Sequence, residues 1–128
     1  MIIGIGIDLV EVERFSEALE RHGDRFRKRL FTDGEMEYCS RCRYPERHLA
    51  ARFAAKEAAS KCFGTGISGG IRFRDFEIYN NSAGAPFLRL HGKAAELFEE
   101  RNAVSIHVSL THTDVSAAAT VILEGSPP

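Results

Sequence analysis

The alanine-rich stretch from Pro45 to Phe63 constrains the fold more than any other part of the chain. Proline suits the first position of a helix, because the N–H that it lacks would have no partner there. Gly64 supplies the positive φ that the end of a helix often needs. Since alanine side chains let a helix pack closely on a sheet, we expect this long helix to lie across the core.

Two charged pairs on this helix are four residues apart, Glu57 with Lys61 and Arg52 with Lys56. Residues at that spacing are neighbours on one side of a helix. Most such pairs are solvated salt bridges. Alanines flank Lys56 and Glu57, however, and hold the carboxylate close to whatever the helix covers. Glu57 is therefore a candidate metal ligand or acid–base group.

The first strand, predicted from Met1 to Val12, places a carboxylate beside cleared space. Its odd positions are isoleucines and a leucine, whereas Asp8 shares the other face with Gly4 and Gly6. Glycines inside a strand commonly mark the close approach of a backbone or a ligand. Asp8 is thus a candidate position for a metal or for phosphate chemistry, and a capping or turn aspartate is the alternative.

The bulk composition is that of a water-soluble protein. A length of 128 residues predicts one domain spanning 1–128. The net charge of −1 gives no general attraction to nucleic acid or to a membrane surface. No apolar run is long enough to cross a bilayer, and the N-terminus lacks the pattern of a signal peptide. We therefore expect a cytoplasmic location.

Cys39 and Cys42 form a single C-x-x-C pair. A structural zinc site needs about four ligands, and the nearby His48 adds only one. The sequence therefore favours free thiols in a reducing compartment over a zinc site.

The remaining patterns predict an α+β fold, a mainly antiparallel sheet with the central helix packed across it. Gly23 is expected to stop a helix that begins at Glu13, and Thr32 with Glu35 has the spacing of a capping box. The other predicted elements are a helix from Gly92 to Asn102 and strands at 71–79, 86–90, 104–111 and 116–123.

Two further features suit an acidic or phosphorylated partner. Basic residues, among them Arg14 and Arg21, are concentrated between residues 14 and 29. They fit either an acidic partner or a solvated face. The glycine-rich loop at 64–70 leaves backbone N–H groups accessible to phosphate, although it lacks the Gly-Lys-Ser/Thr of a Walker loop.

Asp8, Glu57, Lys61 and His112 could converge on one site. Two carboxylates, completed by water and phosphate oxygens, suit Mg²⁺. A neighbouring lysine would neutralise charge on a phosphate that is transferred or leaves. The residues therefore point to phosphoryl-type chemistry.

Four segments in order along the chain resemble the bacterial holo-[acyl-carrier-protein] synthases, which belong to the 4′-phosphopantetheinyl transferase superfamily. They are GIGIDLVEVER at 4–14, RFAAKEAASK at 52–61, GTGI at 64–67 and SLTH at 109–112. The resemblance implies the fold of that superfamily. It also implies a small homotrimeric enzyme with active sites between subunits, which transfers phosphopantetheine from coenzyme A to a serine of apo acyl carrier protein in fatty acid biosynthesis.

The resemblance also implies roles for particular residues. Asp8 and Glu57 would ligate Mg²⁺ together with the pyrophosphate of coenzyme A, and Lys61 would stabilise the charge of the 3′,5′-ADP leaving group. The resemblance also implies contacts to the coenzyme A nucleotide from Arg52, Gly64, Gly66 and His112. Contacts to the acidic carrier protein would come from Arg14 and Arg21.

The last motif departs from the family pattern at one position, and several groups could act as the catalytic base. The family commonly has serine where this chain has Thr111, which retains the hydroxyl. The base that deprotonates the acceptor serine could be an activated water, Glu57, Asp8 or His112, although a carboxylate bound to a metal is a poor base. Another Mg²⁺-dependent phosphotransferase or phosphohydrolase, or a non-catalytic module that binds an acidic protein, are the alternative functions.

Overall fold

A computed structural model describes residues 1–127 of the chain. No helix in this range is both long enough and apolar enough to cross a membrane. The elements, in chain order, are β1 (Ile2–Glu11), α1 (Val12–Leu30), α2 (Asp33–Ser40), α3 (Pro45–Cys62), a short 3-10 helix (Phe73–Asp75), β2 (Phe76–Asn80), β3 (Pro86–Leu90), α4 (Gly92–Glu100), β4 (Ala103–His112) and β5 (Ser116–Gly125).

The strands form two antiparallel sheets, which confirms the predicted α+β class. One sheet has the order β1-β5-β4, and the other pairs β2 with β3. Helix α3 packs against the larger sheet and is buried along most of its length. Its partners on β5 are every second residue, namely Ala117, Ala119, Val121 and Leu123.

Gly4 and Gly6 allow the backbone of α3 to lie directly against β1. A β-carbon on Gly4 would overlap the carbonyl oxygen of Cys62, and one on Gly6 would overlap that of Ala58. Two residues of a strand advance about 6.8 Å and four residues of a helix about 6 Å. The contact of Gly4 with Cys62 can therefore be followed by that of Gly6 with Ala58. The prediction that these glycines mark a close approach is confirmed, and the approaching group is a helix backbone.

Helix α1 continues beyond the end predicted for it. Gly23 does leave the helical conformation, with φ of 72° and ψ of −162°, but the chain resumes a helix and reaches Leu30. Nothing lies within 4 Å of the position that a β-carbon on Gly23 would occupy. The kink redirects the chain so that Leu30 and Phe31 are buried in the core beside α3.

The strand predicted from Ile71 begins later, at Phe76. A 3-10 turn from Phe73 to Asp75 precedes it. The buried carboxylate of Asp75 accepts a hydrogen bond from the backbone N–H of Arg72 at 3.0 Å. This bond stabilises the turn, as short polar side chains commonly do in competition with a strand.

Strand β4 alternates as predicted except at its start. A register shift between Ala103 and Ser105 leaves Val104 60% exposed. Ile106, Val108 and Leu110 pack against the core. Val104 therefore does not belong to the buried face, contrary to the simple alternation of the sequence.

Replacing Gly6 by alanine should destabilise the protein, because the added methyl group overlaps the backbone of α3 rather than a movable side chain. We expect the free energy of unfolding to fall by about 3 kcal/mol, the upper end of the usual range for overpacked cores. Gly34→Ala is the control, since its β-carbon would meet Glu77 at an ordinary 3.5 Å. Denaturant unfolding of both variants measures the difference, and equal stabilities would contradict the close approach.

Candidate active site

Asp8, Glu57 and Lys61 lie together where β1 passes α3. The Nζ of Lys61 donates to the Oδ1 of Asp8 at 3.1 Å and to the carbonyl oxygen of Ile7 at 3.0 Å. The side chain of Asp8 is 22% exposed and that of Lys61 is 50% exposed. The three predicted groups are thus brought together, and solvent or a ligand can reach them.

The surroundings of Glu57 disfavour the ionised form of its carboxyl group. Burial raises the pKa of Glu57, the negative charge of Asp8 raises it further, and the ammonium group of Lys61 acts in the opposite direction. Two like charges held close together favour an additional cation. The site therefore favours a bound cation, because the positive charge of Lys61 balances only one of the two carboxylates.

A cleft of about 530 Å³ opens beside this pair. Asp8 and Glu57 line it together with the exposed Arg14 of α1. The rest of its wall is largely apolar, with Leu9, Val10, Phe15, Ala18, Phe26 and Phe53. Arg21 is exposed on the side of α1 that carries Arg14 and Ala18, because helix residues three and four apart are neighbours.

The donor set fits a hard metal ion shared with a ligand. Within residues 1–127, no group of three or more His, Cys, Asp or Glu side chains is placed to hold a metal ion. Two carboxylates are nevertheless typical of Mg²⁺, which keeps several waters and takes other oxygens from substrate phosphates. Asp8 and Glu57 therefore fit Mg²⁺ bound jointly with a phosphate-containing molecule.

His112 and Arg52 lie in a second cluster with His48, separate from the carboxylate pair. The rings of His112 and His48 are 4.8 Å apart and nearly perpendicular. Burial lowers the pKa of His48, and His112 and Arg52 lower it further. Asp8 is on β1 and His112 on β4, with β5 between them. Two strand spacings amount to about 10 Å, so one chain does not place His112 beside Asp8.

Arg52 is buried on the side of α3 away from the cleft. Its Nη2 donates to the Oδ1 of Asn80 at 2.6 Å, and its guanidinium lies 4.5 Å from the centre of the Tyr38 ring. Among the described residues its Nε has no hydrogen-bond partner. The second cluster thus holds an arginine whose hydrogen-bonding capacity is not fully used.

Gly64 and Gly66 follow directly on the end of α3 that carries Lys61. The N–H of Gly64 donates to the carbonyl oxygen of Lys61 at 2.9 Å and closes the helix. Both glycines have positive φ, 72° and 64°, and each faces open space where a β-carbon would be. The loop therefore begins at the end of α3 that carries Lys61 and has open space beside both glycines.

Two features of the region were not predicted from the sequence. Glu35, expected only to cap α2, also forms a buried ion pair with Lys56 at 2.8 Å. His48 was considered only as a zinc ligand and is instead the neighbour of His112. No local signal in the sequence joins Glu35 to Lys56 or His48 to His112, because the partners of each pair are far apart along the chain.

The three cysteines are free thiols. Burial raises the pKa of Cys39 to about 11, and burial likewise raises the pKa of Cys62 to about 11. These two thiols are therefore protonated at neutral pH.

Comparison with known proteins decides the family. The model described as "4'-phosphopantetheinyl transferase superfamily" matches residues 4–120. The chain belongs to this superfamily. The matched range includes Asp8, Glu57, Lys61 and His112, so the resemblance seen in the sequence motifs is confirmed.

Relatives within the superfamily match nearly the whole chain. The holo-[acyl-carrier-protein] synthase of Serratia proteamaculans is 47% identical over 97% of this chain and 98% of its own length. The crystal structure of the Neisseria meningitidis synthase superimposes with a TM-score of 0.87 at 34% identity, covering 97% of this chain and 99% of that one. The Helicobacter pylori synthase, solved in complex with coenzyme A, gives 0.83 at 29% identity over 94% and 99% of the two chains.

Asp8→Asn should lower the pKa of Glu57, because it removes a negative charge that favours the protonated form. Lys61→Met should raise that pKa, because it removes the compensating positive charge. Carbon-13 NMR titration of the metal-free protein measures both shifts. The pKa of Glu77, held low by hydrogen bonds from His91 and Thr32 that outweigh its burial, is the internal control and should not move. Identical Glu57 titrations in all three proteins would contradict the coupling.

Proposed function

We propose that this superfamily member transfers the 4′-phosphopantetheine group of coenzyme A to a serine of apo acyl carrier protein. The observation that carries the proposal is the convergence of Asp8, Glu57 and Lys61 beside a cleft that Arg14 also lines. The serine oxygen forms a bond to the β-phosphorus, and the bond from that phosphorus to the bridging oxygen breaks. The products are holo carrier protein and 3′,5′-ADP, and the serine proton is released.

Asp8 and Glu57 would hold Mg²⁺ in this reaction. When bound, Mg²⁺ neutralises charge on the pyrophosphate and so favours attack and departure. The mutual repulsion of the two carboxylates supports this assignment. Lys61 donates to Asp8 in the free protein, and its flexible, half-exposed ammonium group can turn to the phosphate that leaves.

The nucleotide end of coenzyme A would meet the second cluster and the glycine loop. Arg52 and His112 supply positive charge and hydrogen-bond donors for its phosphates, and Gly64 and Gly66 offer backbone N–H groups. The unused Nε of Arg52 supports this assignment. Because the second cluster is separate from the carboxylate pair in one chain, we assign the two halves of each site to neighbouring subunits.

A homotrimer would bring those halves together, and an exposed apolar surface supports such an assembly. The face of the larger sheet that lies opposite α3 carries Ile3, Ile5, Ile7 and Leu9, which are 40%, 61%, 65% and 69% exposed. We refer to these four residues as the isoleucine stripe. Apolar surface of this extent on one strand is typical of an interface.

The carrier protein would dock on α1 beside the cleft. Carrier proteins of this class present an acidic helix, as the family resemblance implies, and Arg14 and Arg21 offer two positive charges on one side of α1. The apolar wall of the cleft is continuous with Arg14 and suits the pantetheine arm. We propose a cytoplasmic enzyme of fatty acid biosynthesis, which is consistent with its free thiols.

Asp8→Ala and Glu57→Ala should each reduce Mg²⁺-dependent transfer by about a hundredfold or more, because each removes one of two proposed metal ligands. The measurement is the intact mass of apo acyl carrier protein after incubation with coenzyme A, with and without Mg²⁺. Glu100→Ala, which removes an exposed carboxylate on α4, is the matched control and should retain full activity.

The same assay separates the alternative functions. A gain of one phosphopantetheinyl group only in the presence of metal supports the proposal. Cleavage of coenzyme A without modification of the carrier would indicate a phosphohydrolase instead. Carrier binding that needs neither Mg²⁺ nor Glu57, without any gain in mass, would indicate a non-catalytic module. Near-normal metal-dependent rates in either alanine variant would refute the metal assignment.

Ile5→Lys should dissociate the proposed trimer, because it places a charge in the middle of the isoleucine stripe. Sedimentation velocity should show a trimer for the parent protein and a smaller species for the variant. Phe87→Lys, which changes a 44% exposed aromatic residue outside the larger sheet, should remain trimeric. A stable, fully active parent monomer would overturn both the trimer and the shared site.

A further inference from the structure

Two rows of charged residues run side by side along α3, and they face different surroundings. Glu57 and Lys61 face β1 and the cleft. Lys56 precedes Glu57 directly, so its side chain leaves the helix axis about 100° away. It faces α2 and β2 instead, in the same row as Arg52.

Lys56 is held there by a full set of hydrogen bonds. Its side chain is completely buried, and its Nζ donates to Glu35 Oε1 at 2.8 Å, to the carbonyl oxygen of Phe73 at 3.1 Å and to that of Phe76 at 2.6 Å. An ammonium group has three protons to donate, and all three have a partner here.

Glu35 anchors this ammonium group to two other elements. Its Oε1 also accepts from the N–H of Thr32 at 2.9 Å, and its Oε2 accepts from the N–H of Ile78 at 3.0 Å. The carboxylate therefore fixes Lys56 to the start of α2 and to β2 at once. Because buried ion pairs often add little net stability over apolar residues of the same size, specificity of geometry is the better explanation of this pair.

Apart from this row and the ring of Phe53, which packs against Phe15 and Phe73, α3 gives few directional contacts. Its buried surface consists mainly of alanine side chains. Because alanines occur on neighbouring faces of the helix, they do not fix which face meets the sheet. A rotation by one residue, about 100°, would present alanines again while turning Glu57 away from Asp8. Large interlocking side chains usually prevent such alternatives, and on α3 Leu49 and Phe53 are the main ones.

We propose that Lys56, through Glu35, is a positioning residue: the buried pair fixes the rotation of α3 and thereby directs Glu57 and Lys61 towards Asp8. The inference rests on the proposed function, because it concerns the same carboxylate pair. Supporting groups of this kind hold the geometry of a site although they touch neither metal nor substrate.

The test is the double variant Lys56→Met with Glu35→Gln, which removes both charges, keeps similar volumes and leaves an amide oxygen for Ile78. We expect it to fold but to bind Mn²⁺, measured by electron paramagnetic resonance with and without coenzyme A, about 10- to 100-fold more weakly. The kcat of phosphopantetheine transfer should fall by a similar factor. The KM for apo carrier protein should stay unchanged, because Arg14 and Arg21 are on α1.

Leu97→Ala is the control for a general loss of stability. It removes an apolar side chain of α4 that packs against the core, and it should lower the melting temperature without changing Mn²⁺ affinity. A folded double variant with Mn²⁺ affinity within twofold of the parent would overturn the inference. Losses of affinity that follow melting temperature equally in both variants would also overturn it.

Measurements on the parent protein separate this inference from the proposed function. A parent that binds Mn²⁺ but transfers no phosphopantetheine would refute the proposed function. The positioning role of Lys56 would then be tested by the Mn²⁺ affinities of the parent and the double variant alone. A parent that binds no Mn²⁺ under either condition would overturn the metal site and this inference together.

Discussion

The structure depends above all on one close contact, that of the α3 backbone with β1. Gly4 and Gly6 remove the side chains that would keep the helix at its usual distance, and the carbonyl groups of Cys62 and Ala58 occupy the space. A strand and a helix can run in step at this range because two strand residues and four helix residues advance by nearly equal distances. The residue that follows in the same alternation is Asp8.

This contact explains how three side chains on two elements come together in the candidate site. Asp8 continues the glycine face of β1, and Glu57 and Lys61 are on the side of α3 that approaches it. Two rigid elements, rather than loops, thus position the three groups, which favours precise geometry. The opposite face of the same strand presents the isoleucine stripe. A single ten-residue strand therefore serves both the site and the proposed subunit interface.

The sequence predicted these features where the physical signal is local. The glycine–aspartate alternation of β1, the helix from Pro45 and the capping box of Thr32 and Glu35 each depend on residues a few positions apart, and the structure contains all three. The prediction failed where a distant group decides. The late start of β2 is partly of this kind. The bond from the N–H of Arg72 to the carboxylate of Asp75 is local, but the carbonyl oxygen of Asp75 also accepts from the N–H of His91, just before α4.

The candidate site shows the same division. Asp8, Glu57 and Lys61 were predicted as one group, and the structure brings them together. Residue spacing could not show that His112 lies apart from them, because that separation follows from the strand order β1-β5-β4. Strand order reflects packing of the entire sheet and leaves no mark on any single segment.

The alanine-rich helix links these observations. Small side chains are required on α3 because larger ones would separate its backbone from β1, yet small side chains define the rotation of a helix poorly. A fold that uses a close backbone contact to build its site therefore needs another source of directional contacts on the same helix. Glu35, buried at the start of α2, is a partner for Lys56 that meets this need. Gly4 and Gly6 thus allow the close approach of α3, and the ion pair of Lys56 with Glu35 supplies the directional contact that this approach leaves α3 without.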